Sequence, residues 1–139
     1  MPKAMSVLLV EEDDVDATAV RWAFRDLGVA HTLTRAPDVE TGLSCLRDEN
    51  ASKPNLILLG LNAESEAGVE FLEAVKAKDD TKSIPVVALA TSHNEAMVAR
   101  YFDLGVAGYV KKPVDYKELL EALDKIDHYW SLNTLPSRD

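Results

Sequence analysis

Short apolar runs alternate along this chain with longer segments in which apolar residues recur at helical spacing. Four of the runs are almost wholly apolar and rich in Val, Leu and Ile, which is typical of strands buried on both faces of a parallel sheet. The other run alternates polar and apolar residues and is predicted to lie nearer the sheet edge. The predicted strands cover residues 6–10, 31–35, 55–62, 84–90 and 106–110.

The run at residues 55–62 is predicted to be the central strand, between Pro54 and the polar, acidic segment 62–66. A helix is predicted after each strand. The first helix begins at Asp13 or Asp14, either of which can cap it, and Gly28 ends it. Its apolar residues at helical spacing are Val15, Ala19, Trp22, Ala23 and Leu27.

This alternation predicts an α/β fold. Short connections between strands and helices favour right-handed crossovers, and therefore a doubly wound parallel sheet of five strands in (βα)₅ order. Helices on both faces give three layers, αβα. We expect one domain over residues 1–139, with a core at about 6–131 and a tail at 132–139.

Charge and composition narrow the function classes. The formal net charge of −9 argues against nucleic-acid and anionic membrane surfaces, which both require clustered Lys and Arg. The single cysteine, Cys45, allows no intramolecular disulfide and is expected to pack in the core. No apolar stretch approaches the ~20 residues that span a bilayer, and no signal peptide is expected. The expected location is the cytoplasm.

Candidate chemistry lies at the carboxyl ends of the predicted strands. Glu11 and Glu12 follow the first strand and Lys112 follows the fifth. If strands one, three and five are neighbours, these side chains surround the end of the central strand, where Gly60 and Asn62 lie. Carboxylates and carbonyls are ligands suited to Mg²⁺, and a Lys beside them could neutralise a phosphoryl group or pair with the acids. The alternative role of the acids is helix capping.

Four segments together resemble the receiver domains of response regulators. They are VLLVEED at 7–13, PNLILLGLN at 54–62, IPVVALATS at 84–92 and LGVAGYVKKPV at 104–114. The resemblance covers Ser6 to about Ile126 in the family's order and spacing. The segment YWSLNTLP at 129–136 further resembles stand-alone receivers that partner phytochrome-type histidine kinases.

The resemblance implies a flavodoxin-like fold and phosphoryl transfer from a kinase His to an Asp at the end of the third strand. The family's functional positions fall on eight residues of this chain. They are Glu11 and Glu12 for the paired acids, Gly60 for the phosphoacceptor, Asn62 for a Mg²⁺-binding carbonyl, Ala90 for the sensing hydroxyl, Tyr109 for the aromatic switch, and Lys112 with Pro113 for the Lys-Pro pair.

Three of these positions depart from the family's pattern. Gly60 has no nucleophile, so aspartyl phosphate cannot form there. Ala90 has no hydroxyl, and Glu12 stands where Asp is commoner, which displaces a ligand of octahedral Mg²⁺. We therefore expect a degenerate receiver that requires no cofactor, with at best a weak Mg²⁺ site at Glu11, Glu12 and Asn62. Phosphorylation at a non-standard residue, Glu64 or Asp13, stays open, whereas Thr91 is expected to face away from the site.

The favoured hypothesis is a signalling protein that is not an enzyme and acts through contacts independent of phosphorylation. Its expected partner is a histidine kinase or another signalling protein. The alternative is a small-ligand module on the same fold, although the acids after strand one would repel the phosphate of a flavin. A homodimer through the last turn of the final helix is also expected. The three histidines are expected only to pack or to lie on the surface, and the apolar stripe of the final helix is Leu119, Leu123, Ile126 and Trp130.

Overall fold

The structure is a computed structural model that describes residues 5–61, 66–91 and 94–132. In this part of the chain, a five-stranded parallel sheet carries helices on both faces. The predicted α/β class and the (βα)₅ order are confirmed. The strands are β1 (Ser6–Val10), β2 (Thr32–Ala36), β3 (Leu56–Leu61), β4 (Val86–Ala90) and β5 (Gly108–Lys111). The helices are α1 (Asp14–Asp26), α2 (Val39–Arg47), α3 (Glu66–Ala77), α4 (Glu95–Asp103) and α5 (Tyr116–Leu132). Within these ranges, no helix is long and apolar enough to cross a membrane.

The strand order is β2-β1-β3-β4-β5, which makes β3 the central strand as predicted. The condition that strands one, three and five are neighbours is wrong, because β4 lies between β3 and β5. The parallel register pairs Val10 with both Ala36 and Leu59, so the carboxyl ends of β1, β2 and β3 meet at one edge of the sheet. This edge carries the candidate site.

The fourth and fifth strands begin later in the structure than the sequence pattern predicts. The run 84–90 enters the sheet only at Val86, because the Ile84 N–H closes a turn onto the Thr81 carbonyl. The run 106–110 enters only at Gly108, because the Val106 N–H bonds back to the Tyr101 carbonyl at the end of α4. Gly28 and Gly105 follow α1 and α4 in the left-handed region, with φ of +71° and +97°, as their helix-ending role requires.

The core lies on both faces of the sheet. α1 and α5 cover one face, and α2, α3 and α4 cover the other. In α5 the predicted stripe packs inward, with Leu119 and Leu123 buried and Ile126 and Trp130 partly buried. The prediction for α1 is wrong in part. Its buried residues are Ala17, Val20, Ala23 and Phe24.

Val15 and Trp22 of the predicted α1 stripe instead point to solvent, with 77% and 51% of their surface exposed. The reason is that α1 packs against both the sheet and its neighbour α5 on the same face, so its inward face is set by both neighbours and not by the sheet alone. The stripe chosen from the sequence combined residues from two faces of the same helix. An exposed apolar surface on α1 is the result.

Candidate functional site

Glu11 is the buried carboxylate at the carboxyl end of β1. Only 2% of its surface is exposed. Its backbone N–H donates to the carbonyl of Ala36 at 3.0 Å, which continues the β1–β2 pairing by one residue. Oε1 lies 2.6 Å from Nζ of Lys112, and Oε2 accepts from the backbone N–H of Asp13 at 3.1 Å. Both carboxylate oxygens are thus engaged by groups of the chain itself.

Gly60 lies directly beside this carboxylate, near the end of β3. A Cβ added to Gly60 would lie 2.3 Å from Oε1 of Glu11 and 2.8 Å from its Cδ. It would also lie 3.2 Å from the carbonyl oxygen of Val10. The Glu11 carboxylate therefore fills the space in which a side chain at position 60 would begin.

Lys112 joins two acids from different elements. Its ammonium lies 2.6 Å from Glu11 and 2.7 Å from Oδ2 of Asp16 in the first turn of α1. The Lys112 backbone N–H donates to the Ala90 carbonyl at 2.7 Å, which fixes the chain just after β5. With 11% of its side chain exposed, Lys112 is nearly buried, and Pro113 after it is half-buried. The long side chain reaches the acids although β5 is not next to β3.

Arg35 is a further member of the site that sequence reasoning missed. Its guanidinium donates to the carbonyl of Glu11 at 2.8 and 3.1 Å and to the carbonyl of Glu12 at 3.2 Å. It also lies 2.8 Å from Oδ1 of Asp14. Arg35 pairs with Leu9 in the parallel register of β2 and β1. Only the adjacency of β1 and β2 could have placed Arg35 at the site. That adjacency depends on the order of the strands in the sheet, which the local sequence pattern does not encode.

The other acids of the β1–α1 loop face outward or cap the helix. Asp13 is the N-cap of α1, where its side chain accepts from the backbone N–H of Asp16 at 2.9 Å. Glu12 is exposed, and its backbone carbonyl accepts from Arg35. Asn62 and Glu64 lie outside the described residues. The capping role considered for the acids is therefore taken by Asp13.

The described residues at this edge, Glu11 and Gly60, do not by themselves fit a divalent metal ion. Hard cations require several free oxygen ligands, and Mg²⁺ tolerates little departure from octahedral geometry. Both oxygens of Glu11 are engaged, and Gly60 supplies no carboxylate. In the part of the chain that the structure describes, no three acidic, His or Cys side chains lie close enough together to hold a metal.

The two positions at which the resemblance expects the switch residues lie on β4 and β5. Ala90 is 1% exposed and presents no hydroxyl to the site. Tyr109 is partly buried and packs against Tyr101, with ring centroids 5.9 Å apart. Thr91 is exposed, and its backbone N–H and hydroxyl donate to the Leu61 carbonyl at 3.1 and 3.4 Å.

A match to a protein family along the sequence agrees with three features of the structure. They are the sheet order, the acids after β1 and the Lys-Pro pair after β5. Residues 7–124 match the response regulator receiver domain. The chain belongs to this family. Receivers act in two-component signalling, where they interact with histidine kinases and other signalling proteins.

Individual receivers are similar in sequence to this chain over nearly their whole length. Response regulator Rcp1 of Synechocystis sp. is 35% identical over 136 residues, which is 94% of this chain and 92% of Rcp1. Chemotaxis protein CheY-3 of Vibrio cholerae is 26% identical over 124 residues, which is 89% of this chain and 92% of CheY-3.

Two crystal structures extend the likeness to the fold. The Mn²⁺-bound form of Rcp1 superposes with a TM-score of 0.85 at 35% identity, covering 96% of this chain and 99% of that one. The phosphorylated cyanobacterial phytochrome response regulator RcpA superposes with a TM-score of 0.88 at 34% identity, covering 97% and 100%. The flavodoxin-like receiver fold is therefore shown for this chain.

Proposed function

We propose that this chain is a degenerate receiver that takes no phosphoryl group at the usual position and signals through protein contacts alone. The observation that carries the proposal is the relation between Gly60 and Glu11. Position 60 offers no nucleophile, and the space of its side chain is filled by a carboxylate whose two oxygens are already bonded. This arrangement supports a protein that takes no phosphoryl group at position 60 and requires no metal cofactor.

Intact-mass measurement tests the proposal. The protein is incubated with acetyl phosphate and Mg²⁺ under conditions that preserve acyl phosphates, with the Gly60→Asp variant alongside. The wild-type mass should stay unchanged. A labile phosphoryl group on the wild type, mapped to Asp13, Glu64 or another acid, would favour the alternative of a non-standard acceptor and contradict the proposal.

The partner surface is proposed on α1. A groove of about 680 Å³ runs along the outer face of this helix and is lined mainly by apolar groups. Val15 is 77% exposed, Trp22 51% and the neighbouring Val114 84%. The Tyr116 hydroxyl donates to Asp26 at one end of the groove, which lowers the pKa of Asp26 and raises the pKa of Tyr116. Exposed apolar residues in one groove favour a protein contact.

The groove also borders the degenerate site. A second depression, lined by Glu11, Lys112 and Val114, shares Val15 and Tyr116 with the groove. A partner seated on α1 would therefore cover the ion pair at its edge. We propose a histidine kinase or another signalling protein as this partner, bound without transfer of a phosphoryl group.

Two aromatic residues of equal exposure allow a matched test of the partner surface. Trp22 on α1 is 51% exposed and Phe102 on α4 is 50% exposed. Trp22→Ala should weaken binding to a candidate histidine kinase, measured by calorimetric titration, whereas Phe102→Ala should leave it unchanged. The reverse pattern would move the partner surface to α4.

We also propose a homodimer through the end of α5. Tyr129 is 60% exposed and Leu132 is 87% exposed there. A point substitution tests this proposal better than a truncation of α5, because Asp127 in the same part of the helix is buried and hydrogen-bonded to His31. Leu132→Ser should instead lower the mass seen in sedimentation equilibrium. A full-length chain that is monomeric at high micromolar concentration contradicts this proposal.

The remaining parts of the proposal follow from charge and chemistry. The net charge of −9 opposes nucleic-acid and anionic membrane surfaces, so we propose that the protein works in the cytoplasm and on proteins only. It is proposed not to be an enzyme, because the described site offers a buried carboxylate in an ion pair and no nucleophile activated by a base.

A further inference from the structure

The acidic edge of the sheet is held together by cations that belong to the chain. Lys112 bridges the carboxylates of Glu11 and Asp16, at 2.6 and 2.7 Å. Arg35 lies on the neighbouring strand β2. Its guanidinium donates to the carbonyls of Glu11 and Glu12 and to the carboxylate of Asp14. The two side chains contact carboxylate and carbonyl oxygens, which are the ligands that a hard metal ion takes in a protein.

We propose that Lys112 is the resident cation of this site and excludes divalent metal ions from it. This inference rests on the proposed function, in which the site is not phosphorylated. The Lys112 side chain is only 11% exposed to solvent. A divalent cation could reach Glu11 only by displacing the Lys112 ammonium or by lying beside it. Charge repulsion at close range in a partly desolvated site opposes the second arrangement. Loss of the buried ion pair opposes the first.

The geometry around Gly60 strengthens this reading. Without a side chain at position 60, the Glu11 carboxylate lies over the strand end and meets the Lys112 ammonium. The Glu11 end of the ion pair therefore lies in space that a side chain at position 60 would need. The Lys112 ammonium thus ties Glu11 and Asp16, at the two ends of the β1–α1 segment, to the chain just after β5.

A matched pair of lysine variants tests the proposal. Lys112→Gln removes the ammonium and keeps a hydrogen-bond donor, while Lys111→Gln removes the same charge from the exposed neighbouring residue. Binding of Mg²⁺ is measured by calorimetry, and Mn²⁺ by broadening of the amide signals of Gly60 and Asp13, both at constant ionic strength. The wild type and Lys111→Gln should bind neither ion at millimolar concentration. Lys112→Gln should gain at least about tenfold in affinity, because the ammonium then no longer neutralises the two carboxylates.

Each other outcome overturns the proposal. Metal binding by the wild type would show that Lys112 does not exclude the ion. No gain in Lys112→Gln, or an equal gain in Lys111→Gln, would show that the exclusion has another cause. If Lys112→Gln does not fold in the absence of metal, Mg²⁺ should restore its circular dichroism spectrum, and failure to do so also counts against the proposal.

The same samples separate this inference from the proposed function. Intact mass after treatment with acetyl phosphate reports phosphorylation, whereas calorimetry and signal broadening report metal binding. An unphosphorylated wild type that binds Mg²⁺ tightly would end the resident-cation proposal and leave the degenerate receiver in place. A phosphorylated wild type would end the proposed function itself.

Discussion

The carboxylate of Glu11 occupies the space in which a side chain on Gly60 would begin, 2.3 Å from the position of the missing Cβ. We expect this contact to couple the two residues energetically. Position 60 accepts a side chain only if Glu11 moves, and Glu11 is held by Lys112 and by the Asp13 N–H. The backbone entropy gained by replacing a glycine in a strand is therefore opposed by the loss of a buried ion pair.

Gly60→Ala should lower the free energy of unfolding by about 1–3 kcal/mol, because the methyl group forces Glu11 off Lys112. In a Glu11→Ala background the same change should cost less, which gives a coupling energy of about 0.5 kcal/mol or more in a double-mutant cycle. Urea denaturation measures each variant. Gly108→Ala is the control, because its Cβ would meet only Val87, at an ordinary 3.7 Å. Additive effects of the two changes would contradict the coupling.

Gly60→Asp alone should not rebuild a normal switch. The new carboxylate supplies a nucleophile, but Ala90 still lacks the hydroxyl that would bind a phosphoryl oxygen. A ligand shifts a conformational equilibrium only through different interactions with its two states. We expect small NMR shifts of Tyr109 on addition of beryllofluoride to Gly60→Asp, and larger shifts in the double variant with Ala90→Thr. A full response of the single variant would show that Ala90 is not the block.

Tyr101→Phe should raise the free energy of unfolding by about 1 kcal/mol, because a buried hydroxyl without a partner costs its desolvation. The Tyr101 side chain is fully buried, and its hydroxyl has no hydrogen-bond partner in the described structure. Burial also raises the pKa of Tyr101. Tyr116→Phe is the control, since it loses the hydrogen bond to Asp26 and should not stabilise the fold. A destabilised Tyr101→Phe variant would indicate a partner for this hydroxyl.

His128 should titrate above the ordinary histidine value of 6.5, because its ring donates to the Asp124 carbonyl and lies beside the Asp124 carboxylate, both of which raise its pKa. A raised pKa in the folded state means that this contribution to stability is complete below about pH 6.5 and is lost as the pH rises through the folded pKa. Proton NMR titration measures the value. Asp124→Asn should lower it, whereas Glu40→Gln on the opposite face of the sheet should not. Equal pKa values in all three proteins would contradict the pairing.

The strands, the helix order and the family resemblance could be predicted from the sequence because they depend on local information. Apolar runs such as residues 55–62 form buried strands in almost any α/β context. Gly28 and Gly105 end helices through their own backbone freedom. The absence of a nucleophile at Gly60 and of a hydroxyl at Ala90 needs no structure either, because it is a fact of residue identity.

Relations between distant residues depended on the tertiary structure. The order β2-β1-β3-β4-β5 places Arg35 beside the acidic loop and separates β5 from β3, and no local pattern encodes that choice. The exposed face of α1, with Val15 and Trp22 outward, follows from packing against α5 as well as the sheet. The seating of Glu11 over Gly60 and against Lys112 depends on distances that exist only once β1, β3 and the turn after β5 converge. The sequence alone determined that position 60 is a glycine, and the folded chain decided that the Glu11 carboxylate lies beside it and against Lys112, because a buried carboxylate must find a counter-ion within reach.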